Sequence, residues 1–406
     1  MKILKAKFII LCNESFDVVQ NGAIAFDKTI HKIGKFDELI ARFNDAEILD
    51  FSDDIAMPAL INSHIHLEFS ANKTTLEYGD FLRWLKSIIA NGSALANNDK
   101  NSAIKSAIAT QLDAGVSTIG EISSYGIDAL HCANSPIRTV YFSEILGSNP
   151  ALIEQQWNGF LERFNVANEL KSDLFIPAIS VHSPYSTHIE LSKKALNLAK
   201  DNGMIVATHF MESIHEKNWL ESSSGEFGEF FKGFNKNATP FYTPKSFIEL
   251  FADIQTLFIH SIFADNYINL MDKNLHSIIS CPVSNRLLSS KFNLQNALNN
   301  NINIAFATDG LSSNISLNIW DELRAGLMAH SDIELSKFAT FALKSVTTNP
   351  ARALGLNLGE LKAGNIADIA VFNGFELSDI SQLCIELILH TKSAKALYIK
   401  GEKCNY

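Results

Sequence analysis

The sequence predicts an α/β protein built as a (β/α)8 TIM-type barrel, with a small β domain formed by the N- and C-terminal segments. Two observations predict it. Between residues 56 and 357, apolar β-like runs end near residues 66, 121, 144, 182, 209, 260, 282 and 309, each followed by a helix-sized interval. Residues 1–55 and 358–406 instead alternate short β-rich runs with turn-like polar groups, as two ends sharing one small sheet would.

Taken in order, residues 7–12 and 22–26 read as strands of the small domain, and residues 36–42 as its first helix. The run that ends in His64 and His66 opens the barrel. After the fourth strand, Thr187-x-x-Glu190 reads as a capping box, with Leu191, Ala195, Leu198 and Ala199 on one helical face and Gly203 as the stop. Asn97-Asn98 and Asn299-Asn-Asn301 read as exposed turns. Residues 367–372 and 396–400 return as strands of the small domain.

At 406 residues the chain is long enough to bury a large core, and a barrel of this kind can use 250 residues or more as one unit. A net charge of −10, with both signs interspersed, argues against nucleic acid or an anionic membrane as partner and leaves a small molecule as the default. The five cysteines are odd in number, scattered and form no C-x-x-C pair, so neither a disulfide framework nor a zinc knuckle is suggested. Residues 8–12 are too short a run for a signal peptide core, and no later stretch is apolar enough to span a membrane. A cytoplasmic protein is expected.

The chemistry lies at the strand ends. Side chains two apart on a strand point the same way, so His64 and His66 can place two imidazoles on one ion. His209 and Asp309 end two later strands, and in a barrel all C-terminal strand ends meet on one face. Three imidazoles and one carboxylate make a metal site with a position open for water; the donors suit Zn²⁺, with Fe²⁺ and Mn²⁺ as alternatives. Such an ion lowers the pKa of its water from 15.7 towards about 7, which makes hydrolysis feasible at neutral pH.

Proton transfer then falls to Glu212, three residues after His209, with His260 hydrogen-bonding the reacting oxygen and Asp309 accepting the first proton. Singly, Asp309 also fits a helix N-cap, His260 a core histidine and Glu212 a first-turn acid. Their joint occurrence at successive strand ends selects the metal site. The fourth strand end, residues 176–182, contains no lysine to bridge a second ion, so one metal is expected. His182 there either contacts substrate or buttresses the metal shell.

Pro58-Ala-Leu-Ile-Asn-Ser-His-Ile-His66, Val181-His-Ser-Pro-Tyr185, Thr208-His-Phe-Met-Glu212, His260, Cys281-Pro-Val-Ser-Asn285 and Ala307-Thr-Asp-Gly-Leu-Ser-Ser-Asn314 resemble the amidohydrolase superfamily, and within it the aminohydrolases of purines, nucleosides and pterins. Leu358-Gly-Glu-Leu-Lys-Ala-Gly-Asn-Ile-Ala-Asp368 resembles that family's return from barrel to small β domain. The resemblance implies His64, His66, His209 and Asp309 as ligands, Glu212 as proton shuttle and His260 as orienter of the hydrolytic water. Ala59 departs from the glycine that many relatives carry after the proline.

His66-Leu-Glu-Phe-Ser70, Tyr78-Gly-Asp-Phe-Leu-Arg-Trp84, Ser284-Asn-Arg-Leu-Leu288 and Gly310-Leu-Ser-Ser-Asn-Ile-Ser316 are similar to a bacterial branch acting on an adenine nucleoside with a benzoate-bearing arm. That substrate implies a cation or hydroxyls and an aromatic wall, for which Arg83, Trp84, Arg286 and Ser284 are candidates, with a surface ion pair or helix packing as the alternative. Glu68 is either a ribose hydroxyl acceptor or structural. Alternative substrates are S-adenosylhomocysteine, methylthioadenosine, adenosine or guanine. Ring-opening amide hydrolysis and a non-catalytic metal-dependent nucleoside-binding protein are the other readings. Resemblance to the family also implies a homodimer.

Overall fold

The computed structural model of the chain describes residues 1–72, 75–97, 100–234 and 236–405. In chain order its strands are β1 (Lys2–Ile10), β2 (Val18–Phe26), β3 (Ile30–Lys35), β4 (Glu47–Pro58), β5 (Leu60–Ile65), β6 (Val116–Ser123), β7 (Arg138–Ile145) and β8 (Phe175–Val181). They continue as β9 (Val206–Phe210), β10 (Thr256–His260), β11 (His276–Ser280), β12 (Asn303–Phe306), β13 (Ile369–Phe372), β14 (Ala396–Ile399) and β15 (Glu402–Lys403). Strands β5 to β12 form an eight-stranded sheet in sequence order, every neighbouring pair parallel. The chain ends build a separate seven-stranded sheet, ordered β15-β14-β13-β4-β1-β2-β3.

The barrel strands are apolar because both their faces are covered: β6, β7, β9, β10, β11 and β12 are buried at every position. One face meets the surrounding helices; the other packs Ile61, Ile122, Phe142, Ala207, Leu257 and Ile279 together in the interior. Side chains help close the seam between β5 and β12. Asn62 Oδ1 accepts from Thr308 N at 3.1 Å and its Nδ2 donates to Thr308 Oγ1 at 2.7 Å, while Asp309 N donates to His64 O at 3.1 Å. These bonds fix the first and last strand ends against each other.

The two sheets are tied by a buried ion pair between Arg138 at the start of β7 and Asp368 just before β13. Asp368 Oδ1 also accepts from Lys400 N at 2.7 Å, which satisfies the carboxylate from both sides.

Locally, the helix after β8 departs from the sequence reading. It runs Ile189–Asp201, and its N-cap is His188, whose side chain accepts from Glu190 N at 3.3 Å. Thr187 does not cap it; its backbone is held by Ser183 and by a bridge to Gly147. The buried face is Leu191, Ser192, Ala195, Leu196 and Ala199, with Leu198 at its margin, and Gly203 follows at φ +61°. Asn98 lies outside the described residues; Asn97 closes the helix Phe81–Asn97, Asn299 closes the helix Leu294–Asn299, and residues 300–301 form an exposed turn. Among the described residues no helix is long and apolar enough to cross a membrane.

Candidate active site

Four barrel strands deliver residues at or just past their ends to one point. His64 is at the end of β5, His66 follows it, His209 is in β9, His260 ends β10, and Asp309 lies three residues past β12. The His64 ring is 4.8 Å from His66 and 5.1 Å from His209, centre to centre, and His209 is 5.6 Å from His260. Asp309 Oδ1 lies 3.3 Å from His64 Nε2 and 3.5 Å from His66 Nε2. Glu212 enters from the loop after β9, with Oε1 3.4 Å from His260 Nε2.

Donor atoms of His64, His66 and Asp309, of His64, His209 and His260, and of Glu212, His260 and Asp309 form three overlapping groups, each within 4.8 Å. The backbone is bent to achieve this. Met211, His260, Ser261 and Asp309 all sit in the left-handed region, at φ 51°, 66°, 50° and 58°, where side chains other than glycine are uncommon.

The donor set fits a cation. Both ring nitrogens of His64 and the Nδ1 atoms of His66 and His260 are buried without a hydrogen-bond partner, an arrangement that costs stability unless something accepts their lone pairs. His209 Nδ1 is committed to the His182 carbonyl at 3.0 Å, which leaves Nε2 as its free donor atom. Burial, then neighbouring imidazoles, pushes His66 down to about 4 and lowers His209, and burial likewise brings His260 to about 4, so these rings are neutral at pH 7. Burial alone would raise Asp309, but the adjacent His64 and the surrounding histidines outweigh it and hold the carboxyl well below its usual range.

Glu212 is the opposite case. Burial, reinforced by Asp309 and Glu216, raises its carboxyl well above the usual range. One site thus holds two carboxyl groups whose surroundings push them in opposite directions, the pairing that acid–base chemistry on a single substrate uses.

The remaining predicted residues divide. His182 lies beside the cluster, its ring 5.1 Å from His209 and its Nδ1 on Ser186 Oγ at 2.5 Å. Ser284 is fully buried and donates to Asp309 Oδ2 at 3.0 Å, which makes it a support of that carboxylate. Glu68 offers no free acceptor: it takes the backbone N–H groups of Ser124, Tyr125 and Ile127 at 2.8, 2.9 and 3.0 Å and the Ser123 hydroxyl at 3.1 Å. Arg83 is exposed and paired with Glu77 at 3.4 Å. Trp84 donates to Ser312 O at 2.8 Å, and Arg286 is exposed beside Lys291 and Met328. The structure therefore does not gather Arg83, Trp84 and Arg286 with the cluster: Arg83 is taken up by Glu77, Trp84 by the Ser312 carbonyl, and Arg286 is exposed.

Three carboxylates and a hydroxyl join the site without having been singled out. Glu216 accepts from Met211 N and Glu212 N at 2.9 and 3.0 Å. Glu121 accepts from Leu67 N with both oxygens at 2.9 and 3.1 Å, directly behind His66. Glu144 forms a further donor group with His182 and His209, and Ser313 Oγ donates to Asp309 Oδ2 at 2.6 Å. Only Glu216 had a local signal, the Ser213-x-x-Glu216 spacing of a capping box.

A parallel barrel that converges histidines and two carboxyl groups, Glu212 and Asp309, at its C-terminal face defines a hydrolase of the barrel class. The chain belongs to the Amidohydrolase family, whose model matches residues 55–404. It is 40% identical to the aminodeoxyfutalosine deaminase of Nitratiruptor sp. over 99% of both chains, and 36% identical to a Helicobacter pylori protein named adenosine deaminase, again over 99% of both. The crystal structure of Helicobacter pylori aminofutalosine deaminase in complex with methylthio-coformycin superposes with a TM-score of 0.95 at 35% identity, covering 100% of each chain. The chain is a hydrolase acting on a C–N bond, and the family implies a divalent metal.

Proposed function

We propose that this protein deaminates 6-amino-6-deoxyfutalosine, replacing the adenine amino group by oxygen to give futalosine and ammonia. The observation that carries the reaction is the convergence of Glu212 and Asp309 on His260, 3.4 and 3.9 Å from its Nε2. The 40% identity to an aminodeoxyfutalosine deaminase along the whole chain supports the substrate and, with it, a role in the futalosine route to menaquinone. The free cysteines agree with a cytoplasmic location.

His64, His66, His209 and Asp309 would hold one divalent ion, with zinc the first candidate for three imidazoles and a carboxylate and iron or manganese the alternatives. When bound, such an ion acidifies water and polarises the bond under attack. The chain's own residues manage the protons. Asp309 accepts one from the attacking water, and Glu212 gives its proton to the ring nitrogen next to the carbon being attacked. His260, between Glu212 and Asp309, donates to the oxygen as negative charge develops on it. The proton held by Asp309 then passes to the amino group, the C–N bond breaks and ammonia leaves, and the oxygen's remaining proton returns to Glu212 as the C6 carbonyl forms.

A panel of adenine nucleosides followed by the ultraviolet change from adenine to hypoxanthine tests the reading. Aminodeoxyfutalosine should be turned over far faster than adenosine, 5′-deoxyadenosine, methylthioadenosine or S-adenosylhomocysteine. Equal turnover of adenosine would favour the second reading, an adenosine deaminase, to which the 36% identical Helicobacter pylori relative points.

A further inference from the structure

We propose that a separate aromatic cavity between the loops after β7, β8 and β9 receives the aryl ring of the substrate's 5′ arm, with the carboxylate at the cavity's polar mouth. The inference rests on the nucleoside deaminase reading above. The cavity has a volume of about 650 Å³, and its wall includes Tyr185, Trp219, Phe231 and Phe241. Tyr185 and Trp219 are buried, 8% and 3% exposed, and Phe231 bridges them, its ring 6.4 Å from Tyr185 and 5.3 Å from Trp219. The mouth is built from exposed Asn149 and Thr239. A deep aromatic wall with a neutral polar rim matches a flat apolar ring that ends in hydrogen-bond acceptors.

Its position fits an arm attached to the nucleoside in the active site. Tyr185 is shared between cavity and site: its ring lies 6.0 Å from His182, which lies 5.1 Å from His209. Trp219 belongs to the helix Ile214–Ser222 that starts two residues after Glu212. Asn149 Oδ1 is committed to Ala151 N at 3.0 Å, so the amide nitrogen is the group it can offer a carboxylate. No charged residue lines this cavity among the described residues. The cavity that does hold Arg83 and Lys86 also holds Glu77, Asp80 and Glu226, which neutralise them.

The test compares kcat/KM for three nucleosides: aminodeoxyfutalosine, 5′-phenylthio-5′-deoxyadenosine, whose aryl arm is neutral, and adenosine, which has no arm. Phe231→Leu should lower the ratio of either aryl nucleoside to adenosine about 3- to 10-fold, the value of one aromatic contact. Asn149→Asp keeps the acceptor for Ala151 and adds a negative charge. It should lower the aminodeoxyfutalosine ratio about tenfold and leave the phenylthio ratio unchanged. Equal losses for all three nucleosides, or no change in either ratio, would overturn the proposal, as would an Arg83→Ala variant impaired only towards aminodeoxyfutalosine. A wild-type enzyme that prefers adenosine to aminodeoxyfutalosine would refute the substrate reading instead, and the cavity would still be judged by the phenylthio nucleoside.

Discussion

The carboxylate of Glu216 accepts the backbone N–H of Glu212 at 3.0 Å and that of Met211 at 2.9 Å, and it is fully buried. Met211 is in the left-handed region, so without an external acceptor the two amides would be stranded in a strained turn. Glu216→Gln presents an amide nitrogen to one of these N–H groups and releases the loop that aims Glu212. We expect kcat to fall by about tenfold or more with KM and metal content little changed, since charge-assisted hydrogen bonds of this kind are worth roughly 1.5–3 kcal/mol. A variant with unaltered kcat would separate Glu216 from the placement of Glu212.

Glu212 itself should behave as a proton donor rather than a ligand. Glu212→Gln keeps the shape and removes the transferable proton, so kcat should drop by about 10²- to 10⁴-fold while metal content stays that of the wild type. Steady-state kinetics paired with elemental analysis checks both halves; full activity would sink the role.

Removing the metal should destabilise the fold as well as abolish activity. His64 Nε2, buried and 3.3 Å from Asp309 Oδ1, has no hydrogen-bond partner among the described residues to compensate it. Ion at 100 times its dissociation constant contributes about 2.7 kcal/mol to the loaded form. Treatment with a chelator should therefore lower Tm and eliminate turnover, with both restored by Zn²⁺. A chelated protein whose Tm and activity are unmoved would mean that the cluster is not a metal centre.

The strand ends were legible because β5 to β12 are covered on both faces, so each reads as an apolar run with its functional residue at the tip. Polar residues whose partners are distant in sequence were not. Glu68 and Glu121 find theirs across the β5 and β6 loops, and Ser284 finds Asp309 25 positions away. The His188 cap was hidden by the Thr187-x-x-Glu190 spacing, which sits one residue too early for a helix that starts at Ile189. The left-handed backbone at Met211, His260, Ser261 and Asp309 carries no sequence signal, since none of these is glycine.

Stability should fall on mild acidification through His330, which lies outside the active site. Burial, then Lys291, holds this imidazole down at about 4, and its ring stacks on Phe338 at 5.9 Å. In the unfolded chain it titrates near 6.5, so the unfolded state binds the proton first. The stabilisation from keeping His330 neutral is complete above pH 6.5 and is lost as pH falls through the window down to about 4. The loss is on the order of 3 kcal/mol. Urea unfolding of wild type and His330→Phe between pH 7 and 4 should show a shallower decline in the variant; parallel curves would rule the histidine out.

Gly120 in β6 should prove more important to the site than its distance from the chemistry suggests. A Cβ built there would stand 2.3 Å from the carbonyl oxygen of Ser63, the residue before His64, and backbone cannot move aside as a side chain can. The β5 and β6 pairing is already irregular between Asn62 and Ile65, so added bulk would push the first ligand segment off the barrel face. Overpacking of this kind costs roughly 1–3 kcal/mol. Gly120→Ala should lower Tm and bind less than stoichiometric metal. Gly203→Ala provides the control: its φ of +61° strains an alanine, but nothing lies within 4 Å of the new methyl. It should therefore lose a little stability and keep its full metal content. If Gly120→Ala retained stoichiometric metal and lost only as much stability as Gly203→Ala, the close approach of β6 to Ser63 would not be what holds His64 in place.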